Sequence, residues 1–375
     1  MADVGTHYTG IRAYANERYI PKMVSRQYTR SPLLGMLVKR GGGDGELRPN
    51  SLNIVGGGNV MTSARRAAIA GSYQVNVFLQ YTTVGGQKWM SARDTEPALA
   101  TPASAGGSQD QTRKSAYFRA AELHGEIIVW KNTTLLGQGR YAIGSAVDEA
   151  LNVGAQDHLD EFIKQLYVGD PADQTADIWS LPSGLNQICD TDNTYGGLDR
   201  TVSPANTTWQ GRRVTANTTA ALAIIDNANI TQAMQDVGTG IDTFLVNKAA
   251  YLTIKAEALS KGGILIHRGT PEAARLGLAR EAVFYGDVLI TYDPWLKNYT
   301  DESVDLSAAA VGLTMGDLVL ETFDGHFFTA GEFVDVGKYA RSGLHAKRAI
   351  METHFLFWTE KPWNHILYTA VSGSY

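Results

Sequence analysis

The sequence predicts an α+β fold with a mixed middle region, and three patterns in the chain carry that prediction. Apolar and polar residues alternate over residues 73–81, which is the period of a half-buried strand. Apolar residues then recur at spacings of three and four over residues 147–166, which is the period of an amphipathic helix. After residue 311 the pattern returns to strands, so strands flank the helical part of the chain.

Length and composition favour more than one hydrophobic core. The chain has 375 residues, of which 44% are hydrophobic. This is more apolar material than one core usually organises, so at least two subdomains are expected. Charged residues make up 19% and there are 39 glycines. That balance suits a protein that buries much of its surface against neighbours and contains many turns.

Charge and cysteine content exclude several classes of protein. The net charge of -5 argues against a protein whose main role is to grip nucleic acid, although local contact with DNA remains compatible with it. Cys189 is the only cysteine, so neither an intrachain disulfide nor a cysteine zinc site can form, and synthesis in a reducing cytoplasm is expected. No stretch approaches the roughly 18 apolar residues of a membrane span, so no membrane partner is expected.

Residues 1–71 are predicted to form an extended N-terminal arm. They lack a sustained hydrophobic period, and glycine clusters at residues 41–45 and 56–58 favour loops. Pro21 can start a short helix that would place Lys22, Arg26 and Arg30 on one face. This face is either a solvated surface or a binding surface for an acidic neighbour or scaffold.

Residues 72–130 are predicted to form two strands joined by a long polar tip. The strands are expected over residues 73–81 and 117–130, and the tip over residues 91–115 contains almost no large apolar side chain. Its charges have both signs, which suits contact with an adjacent subunit. The candidate interface residues in the tip are Arg93, Asp94, Glu96, Asp110, Arg113 and Lys114.

The remainder of the chain alternates between helical and extended patterns. A long helix is expected over residues 132–168, followed by a turn-rich segment up to residue 213. Further helices are predicted over residues 229–237 and 248–260, with buried strands at 243–246 and 288–291. Four strands, at 318–320, 327–329, 349–358 and 366–371, are expected to close the fold.

No catalytic, cofactor or metal site is predicted. The Gly337-Lys338 pair is followed by Tyr339, where a phosphate-binding loop requires Ser or Thr, and Gly-X-Ser-X-Gly is absent. Two acid–histidine groups share a face, namely Asp157, His158 and Glu161 on the long helix, and Glu122, His124 and Glu126 on the second strand. We interpret both as solvated polar faces, because ligands from a second element cannot be identified. Cys189 has no nearby histidine and is expected to be a small buried residue.

The segment after the long helix resembles tailed-bacteriophage major capsid proteins. It begins Gly184-Leu185-Asn186, has an acidic turn at residues 190–193, continues Gly196-Gly197-Leu198-Asp199-Arg200 and contains Trp209. The glycine pair is expected to need positive φ angles. Ser203-Pro204 replaces the aromatic pair usual in the family, so this surface is expected to pair differently. The order of a strand, a flap, a strand and a long helix, and later Asp293-Pro294, fits the same family over about four-fifths of the chain.

The resemblance implies a Hong Kong 97-type fold. Residues 72–130 would be its extended loop, 131–213 its peripheral domain with the spine helix at 132–168, and 214–310 its axial domain. Residues 311–375 would be the C-terminal strands that return to the peripheral and axial domains.

The resemblance also implies a function. The chain would assemble into hexamers and pentamers of an icosahedral shell around double-stranded DNA, which it would touch non-specifically at the inner surface. It would be built in the host cytoplasm and reside in the virion. Scaffolding, portal and decoration proteins are further candidate partners.

Two other functions remain open on the sequence. An encapsulin-like cellular compartment would share the fold and differ in its contents. A metal-dependent enzyme using His158 or His124 would differ in binding stoichiometric metal. The contents of native particles and the metal content of the pure protein separate these alternatives.

Overall fold

The computed structural model describes residues 31–40, 74–80, 113–130, 142–171, 181–201, 209–215, 218–235, 240–266, 281–322, 329–330, 334–335 and 346–372. In these ranges the helices are α1 (Pro32–Arg40), α2 (Ala142–Val168), α3 (Leu185–Ile188), α4 (Leu222–Gln235) and α5 (Lys248–Ser260), with a 3-10 turn at Pro362–Asn364. The strands are β1 (Gln74–Gln80), β2 (Arg113–Arg119), β3 (Ala121–Trp130), β4 (Thr194–Tyr195), β5 (Leu198–Asp199), β6 (Arg212–Val214), β7 (Thr218–Thr219), β8 (Thr243–Val246), β9 (Ile264–Ile266), β10 (Ala282–Tyr285), β11 (Val288–Tyr292), β12 (Asn298–Tyr299), β13 (Val304–Asp305), β14 (Ala310–Leu313), β15 (Leu318–Thr322), β16 (Thr329–Ala330), β17 (Val334–Asp335), β18 (Ala346–Thr359), β19 (Ile366–Tyr368) and β20 (Val371–Ser372).

Strands β1 and β2 form a two-stranded antiparallel ribbon. Its register runs from Gln74 opposite Arg119 to Gln80 opposite Arg113. Only Ala120 separates β2 from β3, and β3 pairs with β18 in a different sheet, with β15, β16 and β17 also on β18. The strand predicted over residues 117–130 is therefore two strands that belong to two sheets. Residues 81–112, which include most of the predicted tip, lie outside the described residues.

A seven-stranded sheet in the order β6-β19-β14-β8-β11-β10-β9 separates two hydrophobic cores. Alternate side chains along β8 enter different cores: Phe244 and Val246 pack with α4 and α5, whereas Leu245 faces the core around α2. The period-2 geometry of a strand produces this division. The two buried clusters agree with the expectation of separate cores, while the domain boundaries stay a prediction.

Helix α2 covers the sheet formed by β3 and β18. Its buried face carries Leu159, Phe162 and Leu166, and the Phe162 ring meets Phe355 of β18 edge to face at 4.6 Å. Gly154 lets the helix approach β3, since a Cβ there would lie 2.9 Å from a side-chain carbon of Ile127. The helix begins at Ala142, and the predicted residues 132–141 lie outside the described part of the chain.

Helix α1 lies inside the segment predicted to be an extended arm. Pro32 occupies its first position, and the Ser31 hydroxyl caps it by accepting a hydrogen bond from the Leu34 amide at 3.3 Å. Leu33 and Leu37 are fully buried in the core around α2. The prediction of an extended segment is therefore wrong for residues 32–40, where the apolar run is too short to show a helical period.

The other predicted elements differ from the structure mainly at their ends. Strand β8 and helix α5 have the predicted bounds, and α5 begins with the Asn247 side chain accepting from the Ala250 amide at 2.9 Å. Helix α4 begins at Leu222, well before the predicted residue 229. The strand predicted at 366–371 is divided into β19 and β20. No helix within the described residues is long and apolar enough to cross a membrane.

A buried chain of hydroxyls and a carboxylate joins α1, α2 and the end of β11. Tyr167 of α2 donates a short hydrogen bond to the Asp293 carboxylate, and its hydroxyl lies 3.1 Å from the Ser31 hydroxyl. Burial raises the pKa of Tyr167 well above its usual value, and the neighbouring Asp293 charge acts in the same direction. The Tyr167 hydroxyl therefore stays protonated and serves as a donor to Asp293.

We expect Tyr167→Phe to lower the free energy of unfolding by about 2 kcal/mol, because a buried hydrogen bond to a charged group is lost. Tyr299→Phe is the matched control, since the Tyr299 hydroxyl donates to the neutral Trp295 carbonyl at 2.6 Å and should cost about 1 kcal/mol. Urea denaturation of the unassembled protein measures both. Equal losses in the two variants would contradict a special role for Asp293.

Candidate functional site

The β4–β5 hairpin brings together the turn residues that the sequence singled out. Gly196 has a φ of 58° and Gly197 a φ of 73°, which is the left-handed conformation expected for the pair. Asp199 is exposed, and its carboxylate accepts from the amide and the hydroxyl of Thr201 at 2.8 and 2.6 Å. These hydrogen bonds lower the pKa of Asp199 and hold the end of the hairpin.

Trp209 anchors the hairpin to the core. Its indole N–H donates to the Tyr195 carbonyl at 3.1 Å, and its ring centre lies 5.6 Å from that of Tyr195. The Tyr195 hydroxyl accepts from the Thr359 amide at 2.8 Å, which ties the hairpin to the end of β18. Trp209 and Tyr195 are both fully buried.

Arg200 is a fully buried cation whose two terminal nitrogens donate to backbone carbonyls. One terminal nitrogen, Nη1, donates to the carbonyls of Gln187 and Asp190 at 2.8 and 2.7 Å, and Nη2 donates to that of Ile188 at 3.2 Å. The guanidinium also lies 4.5 Å from the centre of the Tyr195 ring. Burial lowers the pKa of Arg200 to about 10, so it remains charged at neutral pH. This arrangement closes the end of α3 and offers no group for catalysis.

The ribbon contacts the β4–β5 hairpin at its root, which is the end of β2 that leads into β3. The Tyr117 amide donates to the Gly196 carbonyl at 2.9 Å. Phe118, on the opposite face of β2, has its ring centre 5.1 Å from Tyr195 and 5.3 Å from Trp358. The hairpin, Arg200 and Trp209 thus form a rigid base for the ribbon. The sequence showed the turn but not Tyr117 and Phe118, because aromatic residues in a strand pattern do not reveal their partners.

The predicted interface residues are only partly placed. Arg113 and Lys114 lie in β2, opposite Gln80 and Leu79 of β1. The other candidates fall outside the described residues, namely Arg93, Asp94, Glu96 and Asp110 of the tip and Lys22, Arg26 and Arg30 of the arm. Their roles stay predictions.

The acid–histidine group on β3 gains a neighbour from β18. Glu122 pairs closely with His124, and its carboxylate also lies 3.4 Å from Nε2 of His354. Glu126 pairs with Arg348 on the same outer face. Among the residues that the structure describes, no three His, Cys, Asp or Glu side chains are arranged to hold a metal ion.

The interpretation of the other acid–histidine group as a solvated polar face is wrong for His158, which is buried between α2 and the sheet. Its Nε2 lies 2.7 Å from the Thr353 hydroxyl, and its ring occupies the space where a side chain of Gly125 would be. Burial, with a smaller contribution from the charge of His124, lowers the pKa of His158 to about 4. Cys189 is buried as expected, and burial raises the pKa of its thiol to about 12, so the reactive thiolate is suppressed at neutral pH.

We expect stability to fall as the pH drops from about 6.5 to about 4, because His158 binds its proton more readily in the unfolded chain. Buried His365, whose pKa is lowered to about 3, contributes in the same direction. The depressed pKa of His158 corresponds to roughly 3 kcal/mol, fully present above the unfolded pKa of 6.5.

Urea midpoints between pH 7 and pH 4.5 test this pH dependence. His158→Gln should flatten the profile, whereas His124→Gln should reduce its slope only slightly, because the His124 charge makes the smaller contribution to the lowered pKa of His158. A His158→Gln profile as steep as the parent would assign the acid sensitivity to other groups.

Comparison with known proteins finds similarity at the level of structure. No protein-family model and no curated protein sequence matches the chain. The capsid asymmetric unit of cyanophage A-1(L) aligns with 92% of this chain and 93% of its own, with a TM-score of 0.55 and 12% identity. Mycobacterium phage Bobi aligns over 81% and 87%, with a TM-score of 0.46 and 14% identity. The holo-SrpI encapsulin complex from Synechococcus elongatus aligns over 69% and 76%, with a TM-score of 0.38 and 9% identity.

At these identities the likeness concerns the fold. The match to the cyanophage capsid carries it, because it spans nearly the whole of both chains at a TM-score above 0.5. The α+β class and the Hong Kong 97-type architecture predicted from the sequence are therefore confirmed.

Proposed function

We propose that the chain is the major capsid protein of a tailed bacteriophage, and that it assembles into hexamers and pentamers of an icosahedral shell. The observation that carries this proposal is the fold shared with the cyanophage A-1(L) capsid along nearly the full length of both chains. The segment Gly196-Gly197-Leu198-Asp199-Arg200 supports it independently, since it resembles tailed-bacteriophage major capsid proteins in sequence alone.

The domain assignments follow from this proposal. Residues 72–130 would form the extended loop, and residues 131–213 the peripheral domain with α2 as its spine helix. The seven-stranded sheet with α4 and α5 would belong to the axial domain. Contacts with the packaged double-stranded DNA would be local and non-specific, because the net charge of -5 gives no general attraction for phosphates.

Purification of the full chain, followed by electron microscopy and sedimentation, tests the proposal. Closed icosahedral particles, or hexamers and pentamers that form them when concentrated, are the expected result. A protein that stays monomeric at high concentration and with crowding agents would overturn it.

An encapsulin-like compartment is the second candidate, since an encapsulin shares the architecture. Only the contents of native particles separate the two functions. Double-stranded DNA inside the particles supports the phage capsid, whereas an enclosed enzyme supports the compartment. The metal-dependent enzyme has no specific observation in its favour among the described residues, and we propose no catalytic role.

A further inference from the structure

The ribbon changes sheets within a single residue, so its direction is decided at its root. Strand β2 ends at Arg119, and β3 begins at Ala121 in the sheet of β18. Within the described residues, β1 and β2 pair only with each other. Contacts around Tyr117 and Phe118 must therefore fix the angle between the ribbon and the body.

The hairpin holds that root from two sides. Phe118 is buried against Tyr195 and Trp358, and the Tyr117 amide is bonded to Gly196. The Tyr117 ring lies over Gly197 so closely that a Cβ on Gly197 would collide with its Cε1 and Cζ atoms. Because 41% of Tyr117 is exposed, the ring could yield only by swinging outward with the strand or into solvent.

We infer that the contact between Gly197 and Tyr117 sets the direction of the ribbon, and thereby the diameter of the shell. This inference rests on the proposed function. A seven-residue strand is about 23 Å long, so a tilt of about 10° at the root moves its far end by about 4 Å. That displacement equals a full side-chain contact distance. A ribbon that reaches a neighbour at a different angle changes the angle between adjacent subunits. Because the same contact is repeated around the shell, that angle determines the diameter at which the shell closes.

Alanine at Gly197 and at Gly286 separates this contact from backbone strain. Both glycines have positive φ, 73° and 59°, but a Cβ at Gly286 has nothing within 4 Å. The backbone cost of placing alanine at positive φ is common to both substitutions, so a difference between them reports the contact with Tyr117. Particle diameter is then measured by electron microscopy and sedimentation, and stability by thermal melting.

Gly286→Ala is expected to give particles of the parent diameter, whereas Gly197→Ala should shift the mean diameter by more than the parent spread. Tyr117→Ala removes the ring from a half-exposed position, so it should fold and broaden the distribution of diameters. The double variant should match Tyr117→Ala, because the new Cβ then has no ring to meet.

Parent diameters in both Gly197→Ala and Tyr117→Ala would overturn the inference, as would a double variant that keeps the Gly197→Ala defect. If Gly197→Ala fails to fold, the distribution given by Tyr117→Ala decides alone. Absence of particles from the parent and from Gly286→Ala would instead count against the proposed function.

Discussion

Replacing Arg200 with methionine is expected to lower the free energy of unfolding by roughly 4 kcal/mol, the largest single-residue effect on stability that we predict. Methionine keeps an unbranched stem as far as the position of Nε but offers no donor. The carbonyls of Gln187, Ile188 and Asp190 would each lose a charged donor within 3.2 Å. The carbonyls of Gln187 and Asp190 keep the amides of Asp190 and Gly211 as donors at 3.1 and 3.0 Å. The loss therefore comes from the three hydrogen bonds to a charged donor, each of which contributes about 1.5 to 3 kcal/mol.

Two further variants test whether the geometry of Arg200 matters as well as its charge. Arg200→Lys keeps the charge but lacks the planar fork that reaches three carbonyls, so an intermediate loss is expected. Arg213→Gln is the matched control: its partner is the Asp190 carboxylate at 2.8 Å on a partly exposed surface, where an ion pair contributes about 1 kcal/mol or less. Urea midpoints of the unassembled proteins rank the three variants by their loss of stability. A loss for Arg200→Met no greater than that for Arg213→Gln would show that the carbonyls find other donors.

The first and last residues of an element were predicted correctly where the signals that start and stop it lie in its own sequence. Helix α5 has Asn247 as its cap and ends before Gly262, whose φ is 90°, and both residues are visible in the sequence. Helix α4 was predicted to begin too late for a physical reason. The Leu222 amide at its start is satisfied by the Glu257 carboxylate of α5 at 2.8 Å. A cap supplied from another helix leaves no local signature.

In the candidate site, too, features set by local sequence were predicted and features set by distant contacts were not. The pair Gly196 and Gly197 predicted a turn because positive φ favours glycine, and that local requirement could be recognised directly. Arg200 was singled out only by resemblance, since its acceptors are backbone carbonyls that any sequence could provide. Its burial could not be predicted either, because a cation is rarely fully buried.

Deleting residues 94–112 and joining the ends with a short Gly-Ser link is expected to abolish closed shells while leaving the subunit folded. The segment contains one large apolar side chain, Leu99, so by itself it cannot bury enough surface to form a core. Thermal melting and circular dichroism of the deletion variant should therefore resemble those of the parent.

Assembly should fail because the deletion removes the contact area that the extended loop would supply to a neighbouring subunit. Specific contacts typically bury about 800 Å² on each partner, and an extended loop that reaches a neighbour would provide a large share of that area. A variant carrying the same residues 94–112 in scrambled order is the matched control, since it preserves length and net charge. If specific polar pairing by Asp94, Glu96 and Asp110 matters, the scrambled tip should also fail, and sedimentation should show only small oligomers. Shells of normal size from the deletion variant would contradict a role for the loop in assembly. If only the scrambled variant forms shells, the size of the loop matters and its specific polar pairs do not.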